Sequence, residues 1–313
     1  MKKILSYALV SILSAAIALF GAFYALNKRN AFDRFQKPAT EQEKQERLAK
    51  LEGKVVLITG ASGGIGSAFA KEAAKYKMKV ALTDIDLGVS NALVEEFKKS
   101  GVEAMAIQVD LRSQAEREKL VKEVLQRFGR VDMLINNAGY LYLAQPDELS
   151  MADAKASFEV NFFAYVDLAR LVLPLMKKNG EGTIVNISSV LGHWPVVSGL
   201  AQNGLNGMYT GAKAAVNSWS QVLQRALINS NIKVRVVSPS GVRTGFWKHT
   251  QGPEKQKALD ESGRLWQFYD DPETVAKDAF LGIVDNPIFI FPGHARALFN
   301  AFELEKETNF REK

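Results

Sequence analysis

The sequence predicts an α/β protein, a parallel sheet with helices covering both faces. Three observations predict it. Short apolar, β-branched runs recur along the 313 residues with helical stretches of similar length between them. The first run, Lys54 to Ile58, opens directly into a glycine-rich turn followed by a helical pattern. The second ends on an acid, Asp84, eighteen residues beyond Gly66, the last glycine of that turn.

Ahead of this pattern comes an appendage. Ile4 to Leu26 is a 23-residue stretch without a charge, bracketed by Lys2-Lys3 and Lys28-Arg29. As a helix it would be roughly 35 Å long, enough to cross a hydrocarbon core of about 30 Å. Tyr7 and Tyr24 fall near its ends, where amphipathic rings favour the headgroup level. The competing reading is a cleaved signal peptide processed near Ala16-Ile17-Ala18, but the apolar run continues well past that site. Residues 1–27 therefore read as a single-pass membrane anchor, with both flanks basic and orientation left open. Residues 28–52 are polar, and Glu41 to Glu52 reads as an exposed, charge-laced stalk helix.

The main domain spans 53–292. After strand Lys54 to Ile58 and turn Thr59 to Gly66, a helix is expected over Ser67 to Tyr76 and a strand over Lys79 to Thr83. The alternation continues with helix 87–99, strand Glu103 to Val109, helix Gln114 to Phe128 and strand Val131 to Ile135. Next come a long helix over about 151–178, strand Gly182 to Ile187 and a helix beginning near Tyr209. Strands Ile232 to Val237 and Pro287 to Phe291 close the pattern, and Asp271-Pro-Glu-Thr between them starts a helix. The tail, 293–313, places Leu298, Phe299, Phe302 and Leu304 on a helix suited to an interface or a dimer contact.

Charge and composition exclude several functions. Ten of the 40 Lys/Arg but only five of the 34 Asp/Glu lie within residues 1–54, so the main domain is nearly neutral. The basic excess flanks the apolar segment, where it suits anionic headgroups, and no nucleic-acid partner is implied. With no cysteine and three scattered histidines (His193, His249, His294), no metal site is expected.

The residues themselves point to a dinucleotide. Strand, glycine turn and helix together aim backbone N–H groups and a helix N-terminus at a pyrophosphate. Asp84 can accept hydrogen bonds from ribose hydroxyls and would repel a 2′-phosphate, and Ser62 and Gly63 supply no offsetting cation. NAD is therefore favoured over NADP, with a helix cap as the alternative role for Asp84 and Asp86 as the competing ribose ligand. Tyr209-Thr-Gly-Ala-Lys213 puts a phenol and an ammonium on one helix face. A cation about 4 Å from a phenol, at an effective dielectric near 20, favours the phenolate by up to about 4 kcal/mol, roughly three pKa units.

Taken in order, these motifs resemble the short-chain dehydrogenase/reductase family over residues 53 to about 292. Gly60, Gly64 and Gly66, with Ser62 and Ile65 between them, are similar to its glycine turn. Asp110 resembles its adenine-contacting acid, and Asn136-Asn137-Ala138-Gly139 its signature after the fourth strand. Asn161, Ser189, Tyr209 and Lys213 fall where the family has its catalytic residues, and Thr244 where it contacts the carboxamide.

The resemblance implies a single doubly wound, Rossmann-like domain of about seven strands. It also implies hydride transfer between a nicotinamide and an alcohol or carbonyl carbon, and a homodimer or homotetramer is expected. Tyr209 would move the hydroxyl proton and Ser189 would hydrogen-bond the substrate oxygen. Lys213 would lower the Tyr209 pKa and bind ribose hydroxyls, and Asn161 would hold a relay water.

Three departures stand out. Ser189 and Tyr209 are twenty residues apart, longer than the family usually has, with the extra length in His193 to Met208. Pro239-Ser240-Gly241 replaces the family's Pro-Gly, and Ala164 replaces a glycine. Asn186-Ile-Ser188 fits a glycosylation pattern but falls at a buried strand end.

The aromatic run Phe246, Trp247, Trp266, Phe268 and Tyr269 lies where the family has a lid, and with the anchor it suggests a lipophilic substrate such as a steroid, retinoid or fatty alcohol. The rival readings are an NADP-dependent carbonyl or 3-ketoacyl reductase and, in another class, a dinucleotide sensor or scaffold without turnover.

Overall fold

The structure, a computed structural model, describes residues 39–195, 204–285 and 287–300. Every element below lies within Thr40–Lys313. The expected anchor at residues 4–26 lies outside the described residues. Among the described residues no helix is long and apolar enough to cross a membrane.

Seven parallel strands form the sheet: β1 (Val55–Thr59), β2 (Lys79–Asp84), β3 (Ala104–Gln108), β4 (Met133–Asn136), β5 (Gly182–Ile187), β6 (Ile232–Val237) and β7 (Phe289–Ile290). Their spatial order is β3-β2-β1-β4-β5-β6-β7. The chain builds outward from β1 to β3, then crosses back to lay β4 on the other side of β1. This reversal leaves a crevice at the strand C-terminal ends, where such sheets bind ligands.

All five residues of β1 are buried because both sheet faces are covered. Val56 and Ile58 join one core with Phe69, Leu82, Ile135 and Phe280. Val55 and Leu57, pointing the opposite way, join the other with Leu134, Leu168, Ile184 and Val234. The first core is capped by α2 (Gly64–Lys75), α3 (Gly88–Lys99) and α9 (Pro272–Asp285). The second lies under α4 (Gln114–Phe128), α6 (Ala164–Asn179) and α7 (Gly207–Ala226).

Three expectations need correction. The stalk helix forms as α1 (Glu41–Ala49), capped by Thr40 and Glu43, but it does not stand free. Leu48 is 1% exposed within the first core, and the Arg47 guanidinium donates to the Val284 carbonyl at 2.7 Å. Burying that one leucine stabilises docking by about 2 kcal/mol. The long helix over 151–178 is three pieces: α5 (Met151–Phe158), a π-helical turn (Glu159–Phe163) and α6. The last strand shrinks to Phe289–Ile290.

Candidate active site

The glycine turn fits a closely approaching dinucleotide because its glycines leave no room for side chains. Gly60 takes φ +64°, and a Cβ there would meet the Ala138 Cα at 2.7 Å. One on Gly66 would fall 2.2 Å from the Gly60 carbonyl, and one on Gly64 2.5 Å from the Thr244 methyl. The turn thus presses against the 136–139 segment, and Thr244, distant in sequence, lies against the N-terminus of α2.

Asn137 secures the arrangement, its amide donating to the Thr59 and Gly60 carbonyls at 2.9 and 3.0 Å. The Thr59 hydroxyl in return accepts the backbone N–H groups of Asn137 and Ala138. Ser62 and Ile65 belong to the same turn and first helical turn.

At the end of β2 the Asp84 carboxylate accepts the Ser62 backbone N–H at 2.9 Å and that of Ile85 at 2.7 Å. The helix-cap alternative is not realised, since the residue before α3 is Leu87 and no side chain caps it. Asp86 accepts the Gly88 N–H at 2.9 Å, and its carbonyl accepts the Ser62 hydroxyl. Asp110, the expected adenine contact, is shared with Arg112, whose guanidinium reaches both of its oxygens. That partner holds the carboxyl below its usual range.

On the other side of the crevice, α7 delivers Tyr209 and Lys213, both buried. The Lys213 ammonium donates to the Ile187 carbonyl at 2.8 Å and to the Tyr165 hydroxyl at 3.2 Å. It lies 5.7 Å from the Tyr209 ring centre. Ser189, two residues beyond β5, accepts the Leu191 N–H at 3.2 Å and caps a short 3₁₀ turn (Val190–Gly192).

Here the pKa expectation is corrected. Burial pushes the Tyr209 phenol up to about 12, against a hydrogen bond with Ser189 that pulls it down. Burial also lowers Lys213 to about 7. Both groups lose water, and the ammonium is committed to a carbonyl and a second phenol instead of to Tyr209.

Asn161 lies in the π-helical turn, a distortion that often marks functional sites. Its amide donates to the Tyr140 and Ser157 carbonyls at 3.0 and 2.9 Å, and Oδ1 accepts the Tyr140 N–H at 3.2 Å. The side chain thereby fastens Tyr140, and Oδ1 keeps a lone pair for a further donor. Gly139 leaves room for the Asn161 amide: a Cβ there would come 2.6 Å from Asn161 Oδ1 and displace it.

Tyr165 was not foreseen. Its hydroxyl donates to the Ala138 carbonyl at 2.9 Å and accepts from Lys213. The signal was its place four residues beyond Asn161, on the same helical face. The glycosylation pattern is structural: Asn186 is fully buried, bonded to Asn136 and Ser220 at 2.9 Å each.

Around the Tyr209 ring, Leu141, Leu143 and Leu205 form an apolar cluster joined by Leu191, Phe246 and Trp247. Trp247 in turn stacks on Tyr269 with ring centres 5.8 Å apart. The lid folds as a 3₁₀ turn (Gly245–His249), α8 (Lys255–Leu265) and a second 3₁₀ turn (Trp266–Phe268). The lengthened loop is described at its ends only, since residues 196–203 lie outside the described residues.

A doubly wound sheet with a dinucleotide cradle at its crossover, and a Ser189, Tyr209 and Lys213 set facing it, defines an NAD(P)-dependent oxidoreductase acting on CH–OH groups. A family profile described as short chain dehydrogenase matches residues 54–255. The chain belongs to the short-chain dehydrogenase/reductase family.

Among curated relatives, a 7alpha-hydroxysteroid dehydrogenase of Escherichia coli is 33% identical over 216 residues, 68% of this chain and 81% of its own. A ketoacyl reductase of Nostoc is 32% identical over 205 residues, 65% of this chain and 69% of its own. A solved short-chain dehydrogenase/reductase of Burkholderia phymatum in complex with NAD superposes with a TM-score of 0.72 at 27% identity, covering 84% of this chain and 96% of that one.

Proposed function

We propose that the protein is a membrane-anchored, NAD-preferring dehydrogenase of a lipophilic alcohol, of the steroid, retinoid or fatty-alcohol type. The observation that carries the substrate class is the wall around Tyr209. Leu141, Leu143 and Leu205 share one apolar cluster with Tyr209, and Leu191, Phe246 and Trp247 pack against it. The hydroxysteroid dehydrogenase among its relatives agrees with that reading.

NAD preference rests on Asp84, whose carboxylate lies beside the Ser62 N–H where a 2′-phosphate would meet like charge. The bound dinucleotide supplies the hydride acceptor. Tyr209 exchanges the hydroxyl proton, Ser189 hydrogen-bonds the substrate oxygen, and Lys213 is held in place by Ile187 and Tyr165. The anchor at residues 4–26 and a homodimer or homotetramer are parts of the same proposal. Phe163 and Val222, 49% and 67% exposed on the π turn and α7, supply apolar surface for self-association.

A screen of the full chain in detergent with NAD and NADP, against polycyclic, long-chain and small polar alcohols, tests this. Oxidation of small polyols alone would overturn the substrate class, and a preference for NADPH the cofactor reading. Release from membranes by an alkaline carbonate wash would overturn the anchor. The second reading, an NADP-dependent ketoacyl reductase, is favoured by the Nostoc relative and emerges from the same screen.

A further inference from the structure

Ser240 departs from the family pattern, and the structure gives its hydroxyl a partner. It donates to Asp270 Oδ2 at 3.2 Å. Asp270 is only 6% exposed, and its carboxylate also receives the His294 backbone N–H at 3.0 Å and the His294 imidazole Nδ1 at 2.8 Å. Its main chain pairs with the same turn, the Asp270 N–H donating to the Gly241 carbonyl at 2.9 Å and the Arg243 N–H to the Asp270 carbonyl at 2.8 Å. Gly293, at φ +52°, admits this carboxylate, since a Cβ there would fall 2.4 Å from Asp270 Oδ1.

One buried carboxylate thus joins three segments distant in sequence. The turn after β6 leads to Thr244 against the glycine cradle. The second is the end of the lid. The third is the C-terminal helical turn over residues 294–300, whose Phe299 stacks on Phe291 with ring centres 4.5 Å apart. Serine, aspartate and histidine here do not make a nucleophilic set, because the serine bonds to the carboxylate and not to the imidazole. The arrangement is a clamp.

We propose that Asp270 is a positioning residue for the cofactor, holding the 240–244 turn in place by tying it to His294. The role rests on the NAD(P)-binding reading of the cradle and acts through Ser240 and Thr244 without touching the reacting atoms. With the carboxylate neutralised, the three hydrogen bonds it accepts from Ser240 and His294 weaken and the turn gains freedom that cofactor binding must remove.

The test measures NAD affinity by titration calorimetry on full-length wild type, Asp270→Asn, Ser240→Ala, His294→Ala and the Ser240→Ala/His294→Ala double variant. We expect Asp270→Asn to weaken NAD binding about tenfold while kcat at saturating NAD stays within about threefold. Each alanine variant should weaken binding less, and the double variant should lose less than the product of the singles, because both act through one carboxylate. Unchanged NAD affinity in a folded Asp270→Asn, or independent effects of the two alanine variants, overturns the proposal. If Asp270→Asn does not fold, the alanine cycle decides alone. Wild type that fails to bind NAD or NADP would instead overturn the cofactor reading itself.

Discussion

The Tyr165 hydroxyl stands 3.2 Å from the Lys213 ammonium and gives its own proton to the Ala138 carbonyl at 2.9 Å. Through this phenol, α6 braces both Lys213 and the 136–139 segment against the glycine turn. Tyr165→Phe should cost about 1–3 kcal/mol of stability by orphaning buried groups, and lower kcat/KM about tenfold. Thermal melts and steady-state kinetics check the two effects separately. Wild-type kinetics in a folded Tyr165→Phe would remove the residue from the site.

Lys213 imposes a stability cost with a defined pH dependence. Its pKa falls from 10.5 to about 7 on burial, so between those values the unfolded chain binds more protons than the folded one. Stability therefore rises with pH across that window, and the full cost is present below about pH 7. Lys213→Met should abolish turnover while raising the melting temperature most at pH 6 to 7, with the gain fading towards pH 10. A gain that grew with pH would contradict the assigned burial effect.

Asp84 should set cofactor choice. Asp84→Ala removes the carboxylate that bonds Ser62 and Ile85 and would face a 2′-phosphate. The ratio of kcat/KM for NAD over NADP should fall at least about tenfold, equivalent to about 1.4 kcal/mol. The measurement is that ratio with one alcohol substrate, and an unchanged ratio would reassign ribose recognition to Asp86.

Glycines of the cradle should differ sharply from those of the lid. A Cβ at 66 falls 2.2 Å from the Gly60 carbonyl, a backbone atom, whereas one at 245 meets nothing within 4 Å. Gly66→Ala should therefore abolish NAD binding or cost about 3 kcal/mol or more of stability, and Gly245→Ala should change stability by less than about 0.5 kcal/mol. Calorimetry and denaturant unfolding of both variants provide the comparison.

Most of the fold was legible because its signals are local. Strands buried on both faces read as short runs rich in apolar, β-branched residues, and the ends of β1, β2, β5 and β6 differ from the expected ones by a residue at most. Other features failed for physical reasons. The π-helical turn at Asn161 is invisible to a 3.6-residue pattern, because the turn departs from that period. The docking of α1 buries one leucine, Leu48, in an otherwise mostly polar helix and adds the Arg47 bond to Val284. The α1 miss arises from contacts between residues distant in sequence.

By itself the sequence determined the glycine turn, the acid at the end of β2 and the helical spacing of Tyr209 and Lys213. Each of these is a matter of chain geometry over a few residues. Only the tertiary structure decided the strand order, with β1 between β2 and β4, and so where the crevice opens. It alone placed Tyr165 on Lys213, Thr244 on the glycine cradle and Asp270 between Ser240 and His294. It also reversed the expected pKa of Tyr209, because desolvation depends on everything packed around a group and a pairwise spacing carries no record of it.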